Sequence, residues 1–427
     1  MSPRALAKSA YSAARELTVS RLPGDVERWR RRLKQVGSYL GPGFLVGVGY
    51  MDPGNWGTDL EAGSRFGYRL LWVVLVSNLI AIVVQNLSAR LGLVTGYSYA
   101  ENCRRRFAPA KWLSLWMVAE LALVATDLAE FMGAMLGFEL LFGVGRLAAA
   151  LLSVVSVFGI LALYRWGDRW VELQIMALVA LVGGCYVYEL RLVSPEWGKV
   201  VHGTLVPLLD GASAPIAAGI LGATVMPHNL FLHSAVVRRR PGREVERAAL
   251  RSTLIDSLLA LNGAWLINAA ILVTAAATFF GRSQRVMSIV QAHDTLVPLL
   301  GPFAGGVFAL ALLASGVSSS TTATLTGQIV FEGFWGRRMN LFLRRALTVA
   351  PALVVIWLGW EPFRVLIVSQ IGLSVALPFT LVPLAALTAR ADVMGRHANG
   401  RLGNAIVLAA TLVILSFNAM LLWSILS

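Results

Sequence analysis

The chain has 427 residues, 57% hydrophobic and only 14% charged, with a mean hydropathy of +0.68 and a formal charge of +14. A soluble domain carries about 25% charged residues, so this composition excludes a water-soluble globular protein and makes the bilayer the solvent. The positive charge does not call for a nucleic-acid partner, because 29 of the 37 Lys and Arg fall in alternate inter-span segments on one side, as cytoplasmic loops require.

Residues 1–37 are basic and polar, with no apolar run long enough for a cleavable signal, and read as a cytoplasmic tail able to lie on anionic headgroups. A span needs about 20 mostly apolar residues. Eleven stretches qualify: 38–66 (interrupted), 69–93, 112–142, 147–164, 170–190, 212–237 (interrupted), 254–280, 302–332, 346–360, 363–389 and 403–425. The basic runs Arg30 to Arg32, Arg104 to Arg106 and Arg238 to Arg240 all fall on the inner side, which sets the N-terminus in and, after eleven spans, the C-terminus out. Cys103 and Cys185 form no CxxC pair and suggest neither a thiolate metal centre nor a disulfide framework.

Two spans are interrupted by polar and helix-breaking residues. The first contains Met51-Asp52-Pro53-Gly54-Asn55 and the sixth Met226-Pro227-His228-Asn229. Pro53 and Pro227 lack an N–H, and Gly54 permits non-helical dihedrals, so the sequence places breaks at Asp52 to Asn55 and at Met226 to His228. Broken backbone at membrane depth is tolerated only against protein or a water-filled cavity. The two breaks lie five spans apart. Two five-helix units of opposite topology would bring them face to face at the midplane, with the eleventh span an accessory. The expected organisation is therefore a tail (1–37), a first repeat (38–200), a second repeat (201–389), and a cytoplasmic loop with the last span (390–427).

The side chains at the breaks favour a cation. Asp52 offers a carboxylate, Asn55 an amide oxygen, and Ala223 a carbonyl one turn before Met226 that a break would free. Met226 adds a thioether, which favours first-row transition metals over Mg²⁺ or Ca²⁺. Read on their own, Asp52 also suits a cap for the second half-helix, and Met226 ordinary packing. Span three carries Glu120, Asp127 and Glu130 within a sector of roughly 80°. Such an acidic stripe in hydrocarbon needs protons or cationic partners, the pattern of a proton relay. His228 and His233 add titratable groups, and Arg344 and Arg345 are partners available to the inner end of the stripe. Gln85, Asn268 and Gln370 are amides in apolar spans, suited to hydrogen bonds between helices.

With DPGN in the first span, MPH in the sixth, and the stretches ATDLAEFMGA, LGATVMPHNLFLHS and IVSQIGLS, the chain resembles the Nramp family of proton-coupled divalent metal transporters. The resemblance implies a LeuT-like fold: an all-α polytopic protein of 11 transmembrane helices in an inverted 5+5 repeat. It implies metal ligands at Asp52, Asn55, Ala223 and Met226, with Gln370 contributing in some states. It implies proton-linked roles for Asp52, Glu120, Asp127, Glu130, His228 and Arg345. Relatives that move Mg²⁺ lack the methionine, so its presence puts Mn²⁺ and Fe²⁺ first, with Cd²⁺ and Co²⁺ as passengers. The expectation is a proton-coupled importer working by alternating access as a monomer in a bacterial inner membrane, with metal and H⁺ as cargo, no resident cofactor and no enzymatic activity. Three rivals stand beside it: a Na⁺-coupled amino-acid carrier on the same fold, a channel, and an intramembrane metalloprotease. Against the last, no HExxH occurs.

Overall fold

The computed structural model describes residues 42–426, apart from 164–167, 239–246, 281–285, 287 and 301. The tail 1–37 and the run's Arg239 and Arg240 lie outside the described residues. Within them the chain is helical. The first repeat comprises α1 (Pro42–Gly49), α2 (Pro53–Phe66), α3 (Leu71–Thr95), a short α4 (Tyr99–Arg106), α5 (Pro109–Phe142), α6 (Arg146–Leu163) and α7 (Asp168–Leu192). A surface helix, α8 (Trp197–Leu205), leads to the second: α9 (Ala214–Thr224), α10 (Pro227–Val236), α11 (Arg247–Phe279), a peripheral α12 (Ile289–Leu300), α13 (Pro302–Trp335), α14 (Leu341–Trp357) and α15 (Pro362–Ala389). A short α16 (Ala391–Met394) precedes the final α17 (Arg401–Leu426).

All eleven expected spans are met by helix. Seven segments among the described residues are long and apolar enough to cross a membrane by themselves. The remaining expected spans are met by α6, α7, the 17-residue α14 and α1, whose continuation α2 belongs with α3 to one of the seven. The ninth span begins five residues earlier than its hydropathy suggests, because the Asn340 side chain accepts from the backbone N–H of Phe342 at 2.9 Å and caps α14 there. Arg344 and Arg345 thereby lie inside the helix and are buried.

Core packing follows the repeat. The halves α1–α2 and α9–α10 lie among α3, α11, α13 and α15, with α5 running along α13. One buried apolar cluster joins α3, α9, α15 and α17, and a second joins α5, α7, α11 and α13. Large apolar side chains cover the outer faces; Leu402 and Trp423 on α17 are 75% and 76% exposed, a surface that water would not tolerate and lipid does.

Both helix breaks form, but each lies just ahead of the proline. The non-helical residues are Tyr50, Met51 and Asp52 in the first span and Val225 and Met226 in the sixth, with Met226 at φ −58°, ψ 120°. Pro53, Gly54 and Asn55 belong to the first turn of α2, and Pro227 and His228 to that of α10. The reason is steric. Proline is favoured at the first helical position, where its N–H is not needed, and it disrupts the turn before it. Gly54 is helical too, and its small size serves a close approach described below. Proline alone does not break these helices, since Pro351, Pro378 and Pro383 sit inside continuous α14 and α15.

Candidate cation site at the crossing of the two broken helices

A carbonyl in an α-helix accepts from the N–H four residues on. For Gly49 and Ala223 that residue is Pro53 and Pro227, which have no N–H to give. Tyr50, Met51 and Ala223 find side-chain donors instead. Asn268 Nδ2 donates to Tyr50 O at 2.9 Å, the Ser315 hydroxyl donates to Met51 O, and Asn55 Nδ2 donates to Ala223 O at 3.2 Å. The breaks are thus held open by α11, α13 and α2, and the last of these contacts ties one break to the other.

Asp52 divides its carboxylate between two tasks. Oδ1 caps α2, accepting the Asn55 backbone N–H at 2.9 Å and Asn55 Nδ2 at 2.7 Å. Oδ2 is buried with no hydrogen-bond partner among the described residues. The capping reading of Asp52 is therefore correct for one oxygen and leaves the other for a ligand. Asn55 is oriented from both ends, because its Oδ1 accepts from Asn268 Nδ2 at 3.3 Å. Gln370, on α15, lies over the first turn of α2. A Cβ at position 54 would stand 2.0 Å from Gln370 Nε2 and 2.9 Å from Asp52 Oδ2, so only glycine lets the amide and the carboxylate share this space. Gln370 Nε2 donates to Ser369 Oγ at 3.1 Å, while its Oε1 is buried without a partner among the described residues. Met226 is fully buried three residues beyond Ala223. The site so assembled contains one carboxylate, carbonyl and amide oxygens, and one thioether.

The stripe on α5 is present, and its three carboxyls differ. Glu120 is paired with Arg344 at 2.6 Å and accepts Trp116 Nε1 at 3.0 Å. Asp127 is paired with Arg345, whose Nη2 donates to Ser320 Oγ at 3.0 Å. Glu130 lies within hydrogen-bond reach of Ser319 and within electrical reach of Asp127, Arg345 and Asp52, and its Oε2 has no partner among the described residues. From Glu120 to Glu130 the stripe spans about 15 Å along the helix at 1.5 Å per residue, ending beside the break. His228 Nδ1 meets Thr126 Oγ1 at 3.1 Å, next to Asp127. His233 belongs to another chain of contacts, with its Nδ1 at 2.9 Å from Gln85 Oε1 and Gln85 Nε2 donating to the Tyr50 hydroxyl at 2.7 Å.

Other polar residues escaped the sequence reading. Asp59 and Glu189 are buried carboxyls, each with an oxygen lacking a partner among the described residues. Asp59 lies seven residues after Asp52 and so on the same face of α2, a spacing visible in the sequence. Asp256 on α11 accepts the Gly43 N–H at 2.6 Å near the start of α1, and nothing in the sequence pairs these two. Both cysteines are buried and free.

The family model for Nramp, natural resistance-associated macrophage protein-like, matches residues 43–424. A divalent metal cation transporter MntH from Verminephrobacter eiseniae is 44% identical over 420 residues, covering 97% of this chain and 96% of its own. Its counterpart from Burkholderia ambifaria is 43% identical over 391 residues, covering 90% and 88%. Among solved structures, the manganese transporter of Eremococcus coleocola, in complex with an aromatic bis-isothiourea compound, is 33% identical with a TM-score of 0.81, covering 92% of this chain and 87% of its own. The nucleobase-cation-symport family transporter Mhp1 matches with a TM-score of 0.60 at 13% identity, covering 90% and 92%, and shares the fold alone. Fold and sequence agree along nearly the whole length: this chain is a multi-pass membrane protein of the Nramp family.

Proposed function

We propose that the protein imports divalent transition-metal ions by proton-coupled alternating access, with Mn²⁺ first and Fe²⁺, Cd²⁺ and Co²⁺ also carried. The observation that carries this reading is the unpartnered Oδ2 of Asp52, buried at the crossing of the breaks among neutral donors. A carboxylate at this depth costs about 2.5–3.5 kcal/mol to insert, and a cation is the natural compensation. The ligands are Asp52, Asn55, the Ala223 carbonyl and Met226, with Gln370 joining in some states. In the geometry described, the Asn55 NH₂ faces Asp52 and Ala223, standing electrically where a cation would. Turning that amide over presents Oδ1 to the ion and releases both oxygens to it. The Met226 sulfur then favours softer ions over Ca²⁺ and Mg²⁺.

Proton release follows the stripe. Glu130 is the group beside Asp52, Asp127 with Arg345 the next, and Glu120 with Arg344 the inner end; His228 touches the route through Thr126. The repeats at 38–200 and 201–389, the accessory segment 390–427, a cytoplasmic tail at 1–37, an external C-terminus, a bacterial inner membrane and a monomeric unit complete the proposal. Purified protein in proteoliposomes tests it. Wild type should take up Mn²⁺ saturably and faster with an inward proton gradient, and D52N should not. M226A should keep Mn²⁺ uptake while admitting Ca²⁺. Undiminished uptake by D52N would defeat the site; indifference to the gradient would defeat the coupling.

A further inference from the structure

The thioether of Met226 has three rotatable bonds and must hold one orientation to meet an ion. What orients it is visible one turn along α10. Asn229 Nδ2 donates to Met226 Sδ at 3.5 Å, and Asn229 is fully buried. The amide reaches the sulfur only because of the residue opposite. Gly49, the last residue of α1, would carry a Cβ 2.4 Å from Asn229 Nδ2 and 3.1 Å from its Oδ1. The Asn229 Oδ1 has no partner among the described residues, so this side chain is anchored through its NH₂ alone. Asn229 therefore bridges the sulfur and the end of the inner half-helix of the first span.

We propose that Asn229 is a positioning residue that fixes the Met226 thioether, and with it the discrimination between soft and hard cations; this rests on the metal-transport reading above. A sulfur has two lone pairs. An N–H bound to one sets the side-chain rotamer and leaves the other for the ion. The packing against Gly49 links that rotamer to the position of α1, so the sulfur is presented while the inner half-helix stays docked.

The test uses the full chain in lipid nanodiscs, with Mn²⁺ and Cd²⁺ as probes and calorimetry as readout. N229L keeps the branching and heavy-atom count of the side chain and removes the donor; N229A removes both and serves if the bulkier leucine does not fold, with thermal unfolding recorded for each. The ratio of Cd²⁺ to Mn²⁺ affinity should fall about fivefold in N229L, the scale of one weak neutral hydrogen bond. In an M226A background the same substitution should leave the ratio where M226A put it. A merely structural role would lower stability or both affinities together without changing their ratio. An unchanged ratio in N229L, or an equal fall without the methionine, overturns the proposal. Wild type that binds neither ion saturably would instead defeat the metal-transport reading itself.

Discussion

The pair Asp127–Arg345 offers the sharpest quantitative test, because structural and functional roles predict different results there. The side chains are 1% and 0% exposed, and among the described residues Ser320 is the one further hydrogen-bond partner of the Arg345 side chain. Removing one member of a buried ion pair typically costs about 3–5 kcal/mol, since the other is left in low dielectric without its counter-charge. Replacing both by apolar residues of similar volume is often neutral. In R345M the carboxylates of Asp127 and Glu130 lose the cation that both of them feel. About 1 kcal/mol shifts Tm by roughly 2–4 °C in chains of 150–250 residues and by roughly 1 °C in one of this length, so R345M should melt roughly 3–6 °C below wild type. The double variant D127L/R345M should recover most of that loss, to within about 1 kcal/mol.

Transport should not recover with stability. If Asp127 relays protons, the double variant folds yet loses the response of Mn²⁺ uptake to an imposed pH gradient. Fluorescence-detected thermal unfolding in detergent supplies the first measurement, and paired Mn²⁺ and H⁺ flux in proteoliposomes the second. An R345M variant melting within about 1 °C of wild type would refute the buried-pair energetics. Normal gradient-driven uptake by the double variant would leave Asp127 a structural residue only.

Three further outcomes follow from particular contacts. G54A should abolish Mn²⁺ binding while the protein still folds, because its Cβ would meet Gln370 Nε2 at 2.0 Å and force that amide off the break; retained binding measured by calorimetry would mean that Gln370 has another place to go. N418L should lower stability by about 1–3 kcal/mol, the penalty for unsatisfied buried groups, since Asn418 of α17 exchanges two 2.9 Å hydrogen bonds with Ser374, one turn from Gln370; a Tm shift reads the loss. On the surface, burial pushes the Glu101 carboxyl up, but the Ser98 N–H and Arg238 outweigh it and hold it below the ordinary carboxylate range. Its contribution is therefore present above that range and lost as pH falls through the lowered value. Half-exposed as the pair is, E101Q should cost no more than about 1 kcal/mol at neutral pH, and the difference in Tm from wild type should close in acid.

Much of the fold could be read from the sequence because its rules are local. Hydropathy marks helices that must satisfy their own backbone in lipid, and the five-span separation of two polar interruptions suffices to suggest the repeat. The residues that meet at the crossing were also legible, since Asp52 and Asn55 are one turn apart, as are Ala223 and Met226. What failed was placement of the breaks relative to proline. Reading Pro53 and Gly54 as the unwound residues ignores that proline starts a helix as readily as it ends one. Asp256 meeting Gly43 across 213 positions, or Asn268 meeting Tyr50 across 218, depends on tertiary packing that no periodicity encodes.

The carbonyl accounting gives the site a physical logic beyond its ligands. A span interrupted by proline leaves carbonyls that lipid cannot satisfy, and this protein answers three of them with donors from other helices. One of those donors, Asn55, is itself a proposed ligand, bound at once to Asp52 and to the opposite break. An arriving cation therefore competes with a hydrogen-bonded amide, and binding must break contacts that hold α2 to α9. Under the proposed mechanism ligation and helix movement would be the same event: whatever frees Asn55 for the ion would also loosen the junction of the two broken spans, where the proposed alternating access would act. N55A should separate the two effects, weakening Mn²⁺ binding while making the junction more mobile in spin-label distance distributions across α2 and α9. Distributions unchanged from wild type would show that the amide is a ligand without being a latch.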